Sequence, residues 1–335
     1  MKALTFTGGK IEQQEIELPS TPPKWARIMV VNTGLCGSDV AKLTHSNLPS
    51  SHTQVLGHEF IGRVIDLGDN AGTIAIGDLV VVMPLIACGK CYACEHHREN
   101  LCIKADAIGR TVNGAFAEYV DVPFSNLINI ERVTSPVSYV LADPLAVCIH
   151  AKNLSESTSD QTCLVIGDGT IGCLLAWLLH QYGFDTWIKG IHGENLRFIE
   201  GLGVKILKSK SPENHFDVIY ETVGRSQEIT LHESIRSVRW GGKIVVLGVF
   251  TPNYIYPLTA RDLFIKEVRL IGSNAYVPDE FRKAVTLIES HESILAGFIS
   301  HRFPLPKFNE ALITARQKQG FTMKIILEME GIHHD

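Results

Sequence analysis

The chain has 335 residues, 45% of them hydrophobic and 20% charged, with a net charge of −5. That length buries a sizeable core and predicts two domains. The acidic balance excludes a general electrostatic affinity for nucleic acid or an anionic membrane. No stretch approaches the roughly 20 consecutive apolar residues of a spanning helix, and "MKALTFTGGKIEQQEIELP" lacks the apolar segment of a secretory signal. A cytoplasmic location is the expectation. Thiols stay reduced there, so the eight cysteines read as metal ligands, reactive groups or buried small hydrophobes.

The first 85 residues read as β-rich. "RIMVVNTGLCG", "FIGRVIDLG" and "GDLVVVMP" are β-branched runs broken by Gly, Asn and Asp. "GAFAEYVDVP" predicts another strand, and "VSYVLADPLAVCIHA" a helix interrupted at Pro144. "SESTSD" reads as a linker. From Gln161 the pattern alternates: strand "TCLVI", a Gly-rich turn, an apolar helix, then strands "DTWIKGI", "DVIYETVG" and "GGKIVVLGVF". Helices "ENLRFIEGLG" and "SQEITLHESIRSV" lie between them. That alternation predicts a doubly wound parallel sheet, an α/β class. A strand "VRLIGS", helices "DEFRKAVTLIES" and "NEALITARQKQ" and a strand "KIILEM" follow. The tail "GIHHD" reads as a frayed end, its paired His a weak metal signal.

"CGKCYACEHHRENLC" holds Cys88, Cys91, Cys94 and Cys102. A C-x2-C step lets one tight turn aim two thiolates at one ion, and the fourth thiol closes a tetrahedron with no open position. The loop is polar and has little core of its own, so a structural zinc would be what orders it. Four unrelated thiols, or a nucleic-acid zinc ribbon, are the alternatives. The acidic charge and the single knuckle argue against the ribbon.

"VIGDGTIG" sets Gly167, Gly169 and Gly172 in G-x-G-x-x-G register between a strand and a helix. The first glycine permits the turn, the second lets backbone approach a pyrophosphate, and the third allows close helix packing. With Thr170 and Ile171, the helix N-terminus then offers N–H groups to the phosphates. The acid that usually ends the next strand and holds the ribose hydroxyls falls near Gly190, where no Asp or Glu stands. Lys189, His192 and Arg197 are nearby, which favours NADP(H) over NAD(H). A strand end shifted by a few residues, with Glu194 as the acid, is the alternative.

Cys36 in "GLCGSD" and His58 and Glu59 in "LGHEF" bring thiolate, imidazole and carboxylate, the donor set of a catalytic zinc with one open position. Asp143 in "LADPLAVCIH" could add a further ligand. Each alone reads as structural.

Taken together, "GLCGSD", "LGHEF", the four-cysteine lobe, "DPLAV-IHA", "VIGDGTIG" and "GGKIVVLG" resemble the zinc-containing medium-chain dehydrogenase/reductase superfamily, the alcohol and polyol dehydrogenases. The resemblance runs over nearly the whole chain. It implies a GroES-like β-rich catalytic domain over 1–145 and 276–335, with a zinc lobe at 86–103, and a Rossmann domain over 146–275. Cys36 and His58 would be catalytic zinc ligands, with Glu59 on or beside the metal and Asp143 where polyol and threonine dehydrogenases usually carry Glu. Asp39 would orient His58, and Ser38 would pass the substrate proton outward. Many relatives carry a His three residues after that Ser. Ala41 stands there here, so the relay would run through ribose hydroxyls, water or a group such as His45. Lys324 matches a basic residue near the pyrophosphate. Ser273, Asn274 and Tyr276 would lie near the nicotinamide, and Ala275 replaces an Arg of sorbitol dehydrogenases.

The implied activity is zinc- and NAD(P)-dependent oxidation of a secondary alcohol of a polyol, sugar alcohol or cyclitol, or reduction of the matching ketone. Two zinc ions per chain and a homodimer or homotetramer go with it, the subunits joined partly at "FIKEVRLIG". An L-threonine 3-dehydrogenase is the runner-up. A non-catalytic NADPH-binding regulatory protein on this fold is the alternative of another class, and a zinc-independent quinone reductase would lack the cysteine lobe.

Overall fold

A computed structural model of the chain describes residues 1–8, 10–45, 53–69, 72–130, 136–224, 226–248, 256–258 and 260–329. The "GIHHD" tail and the side chain of His45 lie outside the described part. The chain forms two compact units, Met1–Asp143 with Val277–Asp335, and Pro144–Tyr276.

Unit 1 begins with β1 (Lys2–Thr7), β2 (Lys10–Glu15), β3 (Trp25–Leu35), α1 (Gly37–His45), β4 (Thr53–Val55), β5 (Glu59–Leu67), β6 (Leu79–Val82) and β7 (Leu85–Ile86). It continues with α2 (Tyr92–Glu95), β8 (Asp106–Ala107), β9 (Tyr119–Pro123), β10 (Leu127–Asn129) and a 3-10 segment, Pro136–Leu141. Then α3 (Ala142–Leu154) leads into unit 2: β11 (Thr162–Ile166), α4 (Thr170–Gln181), β12 (Asp185–Lys189), α5 (Gly193–Gly201), β13 (Lys205–Ile206), β14 (Phe216–Glu221), α6 (Gln227–Ser237), β15 (Val238–Val246), α7 (Ala260–Lys266) and β16 (Arg269–Gly272). Unit 1 resumes with α8 (Pro278–Ser290), α9 (Glu292–Ala296), β17 (Ile299–Pro304), α10 (Phe308–Gln317) and β18 (Lys324–Glu328).

Unit 1 is built on a sheet of order β10-β6-β5-β3-β18-β17, with β9 also on β3. Strand β3 is its spine because Ala26, Ile28, Val30, Val31 and Leu35 are all buried, as expected of a β-branched run covered on both faces. Its C-terminal end is flanked by the start of β5, through the pair Gly34–Glu59, and by the start of β18, through Leu35–Ile325. Residues next to these strand ends therefore meet at one place although 265 positions separate Glu59 from Lys324.

Unit 2 is an all-parallel sheet of order β13-β12-β11-β14-β15-β16. This is the doubly wound arrangement, with its order reversing between β11 and β14. Helix α4 is buried from Gly172 to Leu179, which explains its apolar sequence on every face.

The helix expected across 137–151 starts as the 3-10 segment and becomes α-helical only at Ala142. Pro144 is no interruption: it lies in the first turn, where its missing N–H has no partner to lose. The strand expected over 114–123 is confined to β9.

Candidate active site

The strand register of unit 1 assembles a donor set. Cys36 follows β3, His58 precedes β5 and Glu59 opens it. The Cys36 sulfur, a His58 ring nitrogen and a Glu59 oxygen all lie within 4.8 Å of one another. His58 is 1% exposed, and neither ring nitrogen has a hydrogen-bond partner. An orphaned buried imidazole is unfavourable unless a cation takes one nitrogen. Its Nδ1 is 3.5 Å from Asp39 Oδ1. Burial alone would lower the pKa of His58, but the Asp39 carboxylate and the Cys36 sulfur outweigh it and hold the imidazole well above its ordinary value. Thiolate, imidazole and carboxylate around one point fit zinc.

Around this set, Asp39 accepts from the Cys36 backbone N–H at 3.2 Å. The Ser38 hydroxyl donates to Cys36 Sγ at 3.2 Å and accepts from Arg110 Nη2 at 3.2 Å. Asp143, in the first turn of α3, does not belong to the 4.8 Å set. The Asp143 charge does act on Lys324. Lys324 lies in unit 1, 3% exposed, with its ammonium on the Glu59 carboxylate. Burial opposes that charge, and Glu59 and Cys36 more than offset it, so the lysine pKa is raised. Lys324 meets Glu59 because β18 opens against the end of β3.

The second thiol cluster is Cys88, Cys91, Cys94 and Cys102, again with sulfurs within 4.8 Å of one another. Cys91 Sγ is 3.6 Å and Cys88 Sγ 4.0 Å from Cys94 Sγ. The edge of a tetrahedron with Zn–S bonds of about 2.3 Å is about 3.8 Å. No disulfide forms. The Cys94 backbone N–H pulls Cys91 down to about 6, while burial pushes Cys94 up to about 12. Four thiols this close ionise together only with a cation between them. Cys148, Cys163 and Cys173 are buried in unit 2, and burial raises each thiol, so they pack as hydrophobes.

In unit 2 the glycine turn joins β11 to α4. Gly167 has φ +116, and a Cβ on Gly172 would collide with the Gly167 carbonyl. Gly169 caps α4 without a side chain, so the first-turn N–H groups of Thr170, Ile171 and Gly172 meet no side-chain cap. This suits an anion. The end of β12 differs from expectation. A carboxylate does reach it: Asp168, from the turn itself, fills the space that a side chain on Gly190 would need. Asp168 accepts from the His192 backbone N–H at 2.5 Å and faces His192 Nδ1 at 2.8 Å. Lys189 is bound to Glu233 at 2.5 Å, and Arg197 pairs with Glu194 at 3.4 Å on the surface of α5. After β16 the Ser273 backbone N–H donates to Val246 at 2.9 Å, its hydroxyl is buried without a partner, and Ala275 has φ +50.

The sequence reading missed Arg110, Lys42 and Asp168. Arg110 reaches Ser38 across 72 positions, so no local pattern signals it. Lys42 was legible only once α1 was known to be a helix, four residues after Ser38.

Among known proteins, residues 22–132 match the family model "Alcohol dehydrogenase GroES-like domain" and residues 133–329 the model "Glucose dehydrogenase C-terminus". The second alone covers more than half of the chain. A D-altritol 5-dehydrogenase of Agrobacterium fabrum is 28% identical, the match covering 97% of this chain and 98% of that one. An L-threonine 3-dehydrogenase of Cutibacterium acnes is 27% identical over 98% and 99%. The crystal structure of a candidate zinc-binding dehydrogenase of Sinorhizobium meliloti bound to NADP superposes with a TM-score of 0.85, at 27% identity and 98% coverage of each chain.

Proposed function

Because this chain belongs to the zinc-type medium-chain alcohol and polyol dehydrogenase superfamily, oxidoreductases acting on CH–OH groups, we propose that it oxidises a secondary alcohol of a polyol, sugar alcohol or cyclitol, or reduces the matching ketone. The observation that carries this reading is the Cys36–His58–Glu59 set, with a buried imidazole that lacks any hydrogen-bond partner. The D-altritol 5-dehydrogenase relative supports a polyol, while the L-threonine 3-dehydrogenase relative keeps threonine as the second substrate to assay.

Cys36, His58 and Glu59 would hold the catalytic zinc, and Cys88, Cys91, Cys94 and Cys102 a structural one. Zinc supplies Lewis acidity that makes an alcohol proton easier to lose near neutral pH, and nicotinamide supplies the hydride acceptor. Asp39 keeps the His58 ring oriented by facing its Nδ1 and anchors the Cys36 backbone. The Lys324 ammonium pairs with the Glu59 carboxylate and offsets its charge. Ser38, touching the Cys36 sulfur, takes up the alcohol proton and passes it outward. Ala41 ends that path on α1, so the proton leaves through a ribose hydroxyl or water.

Thr170, Ile171 and Gly172 bind the pyrophosphate through their N–H groups. NADP(H) is the preferred cofactor. Gly190 presents no side chain to the ribose, the Asp168 carboxylate is already engaged by the His192 backbone N–H, and the exposed Arg197 guanidinium on α5 carries charge that can turn from Glu194 to a 2′-phosphate. The NADP-bound relative supports the same choice. Copies of the chain pair through the β16 edge, a proposal supported by the exposed Phe264, Ile265 and Leu270 beside it.

Fluorescence titration of the zinc-replete protein with NADPH and with NADH tests the cofactor reading. NADPH should bind about tenfold or more tightly than NADH. The reverse order would assign Asp168 to the ribose hydroxyls and the enzyme to NAD(H). Binding of neither would overturn the dehydrogenase.

A further inference from the structure

Three polar side chains beside Cys36 have no part in the steps above. Arg110 is exposed on the turn after β8, and its guanidinium donates to Ser38 Oγ at 3.2 Å. Among the described residues no carboxylate pairs with it. Lys42 lies four residues after Ser38 on α1, on the same helix face. Its ammonium donates to Gln54 Oε1 at 2.5 Å. Lysine is a donor only, so this bond fixes the amide orientation and turns Nε2 away as a donor. Gln54 is 3% exposed, and that Nε2 has no partner. The bond anchors the Lys42 ammonium to the buried amide on β4. The three segments are held together: Asn113, three residues after Arg110, accepts from the Val55 backbone N–H of β4 at 3.1 Å.

The charges point the same way. Burial holds Lys42 below its ordinary value; Asp39 acts against that, and the Arg110 charge acts with it. Two cations thus sense each other close to Ser38. Asp39, the acid on α1, is buried and turned to the Cys36 N–H and to His58. An anion between Arg110 and Lys42 would relieve the like-charge repulsion.

We propose that Arg110 and Lys42, the latter held in place by Gln54, form an anion-binding subsite next to Ser38 and Cys36, and that the substrate is a polyol or sugar derivative bearing a phosphate ester or a carboxylate. This rests on the dehydrogenase reading for the reaction, not for the anion. The charged end is clamped by the guanidinium and ammonium, while the alcohol to be oxidised lies toward the Cys36–His58–Glu59 set. Arg110 acts on specificity and on the position of Ser38.

The test has two arms on the zinc-loaded protein, its Arg110→Gln variant and its Lys42→Gln variant. Calorimetric titration with inorganic phosphate reads the subsite without turnover. The expected result is binding by the wild type that each substitution weakens about tenfold. Phosphate held by the glycine turn of unit 2 would be untouched by either. The second arm compares kcat/KM for sorbitol, sorbitol phosphate and gluconate. A charged substrate should exceed sorbitol by about tenfold or more, and the ratio should collapse in both variants. The better of the two charged compounds assigns the anion as phosphate ester or carboxylate. Equal kcat/KM for charged and neutral polyols, or a phosphate affinity that neither substitution changes, overturns the subsite. If no polyol of any charge is oxidised, the dehydrogenase reading fails by itself, and the phosphate titration still decides the subsite.

Discussion

Glu221 shows how much one buried carboxyl can impose. It ends β14 with no exposed surface, and its Oε1 accepts from the Val223 N–H at 3.0 Å and the Thr230 hydroxyl at 2.8 Å. Burial nevertheless raises its pKa above the ordinary 4.5. The folded chain therefore binds this proton more tightly than the unfolded chain does. Its contribution to stability is complete below the unfolded value of 4.5 and is lost as pH rises through the folded one. Thermal unfolding between mildly acidic and neutral pH should show a falling midpoint, and Glu221→Gln should flatten it. The slope removed corresponds to about 1.4 kcal/mol per pH unit of that window. An unchanged slope in the variant would place the proton elsewhere. At the same scale, Cys36, His58 and Glu59 were legible from residue type and neighbours alone. Asp168 was not, because the middle residue of G-x-G gives no hint that its side chain will reach the end of β12.

The segment from Cys88 to Cys102 has almost no core. Cys94 is its one buried residue, while Tyr92 is 74% exposed and Leu101 40%. Apolar burial cannot order such a loop, so a metal at the four thiols has to. Cys102→Ser should lower bound zinc from two ions per chain to one and open Lys90, Arg98 and Lys104 to trypsin before any other site. Unchanged zinc content and an unchanged digestion pattern would remove the metal from this lobe. Elements were readable where their apolar pattern was strong, as in β3, β5, β11 and α4. Helix α1 was not, because "GSDVAKLTH" is short and polar and owes its helix to the strand end before it. The two-residue strands β7, β8 and β13 carry no periodicity at all.

At the scale of the molecule, unit 1 folds from both ends of the chain: β18 pairs with β3, and Lys324 arrives at Glu59 only through that pairing. The order of motifs identifies the architecture, whereas the meeting of distant side chains at a strand end depends on register, which a sequence does not display. Among the described residues no helix is long and apolar enough to cross a membrane. Unit 2 presents a parallel sheet with an uncapped helix N-terminus after its first strand. Both units are needed if zinc and a nicotinamide act in one reaction. The decisive measurement is the reduction of NADP+ by polyols with the zinc-loaded protein, repeated after chelation and after zinc is returned. Turnover that disappears with the metal and comes back with it is the expected result. Turnover that persists without zinc, or no reduction of NADP+ or NAD+ by any polyol, cyclitol or threonine, would contradict a zinc-dependent dehydrogenase.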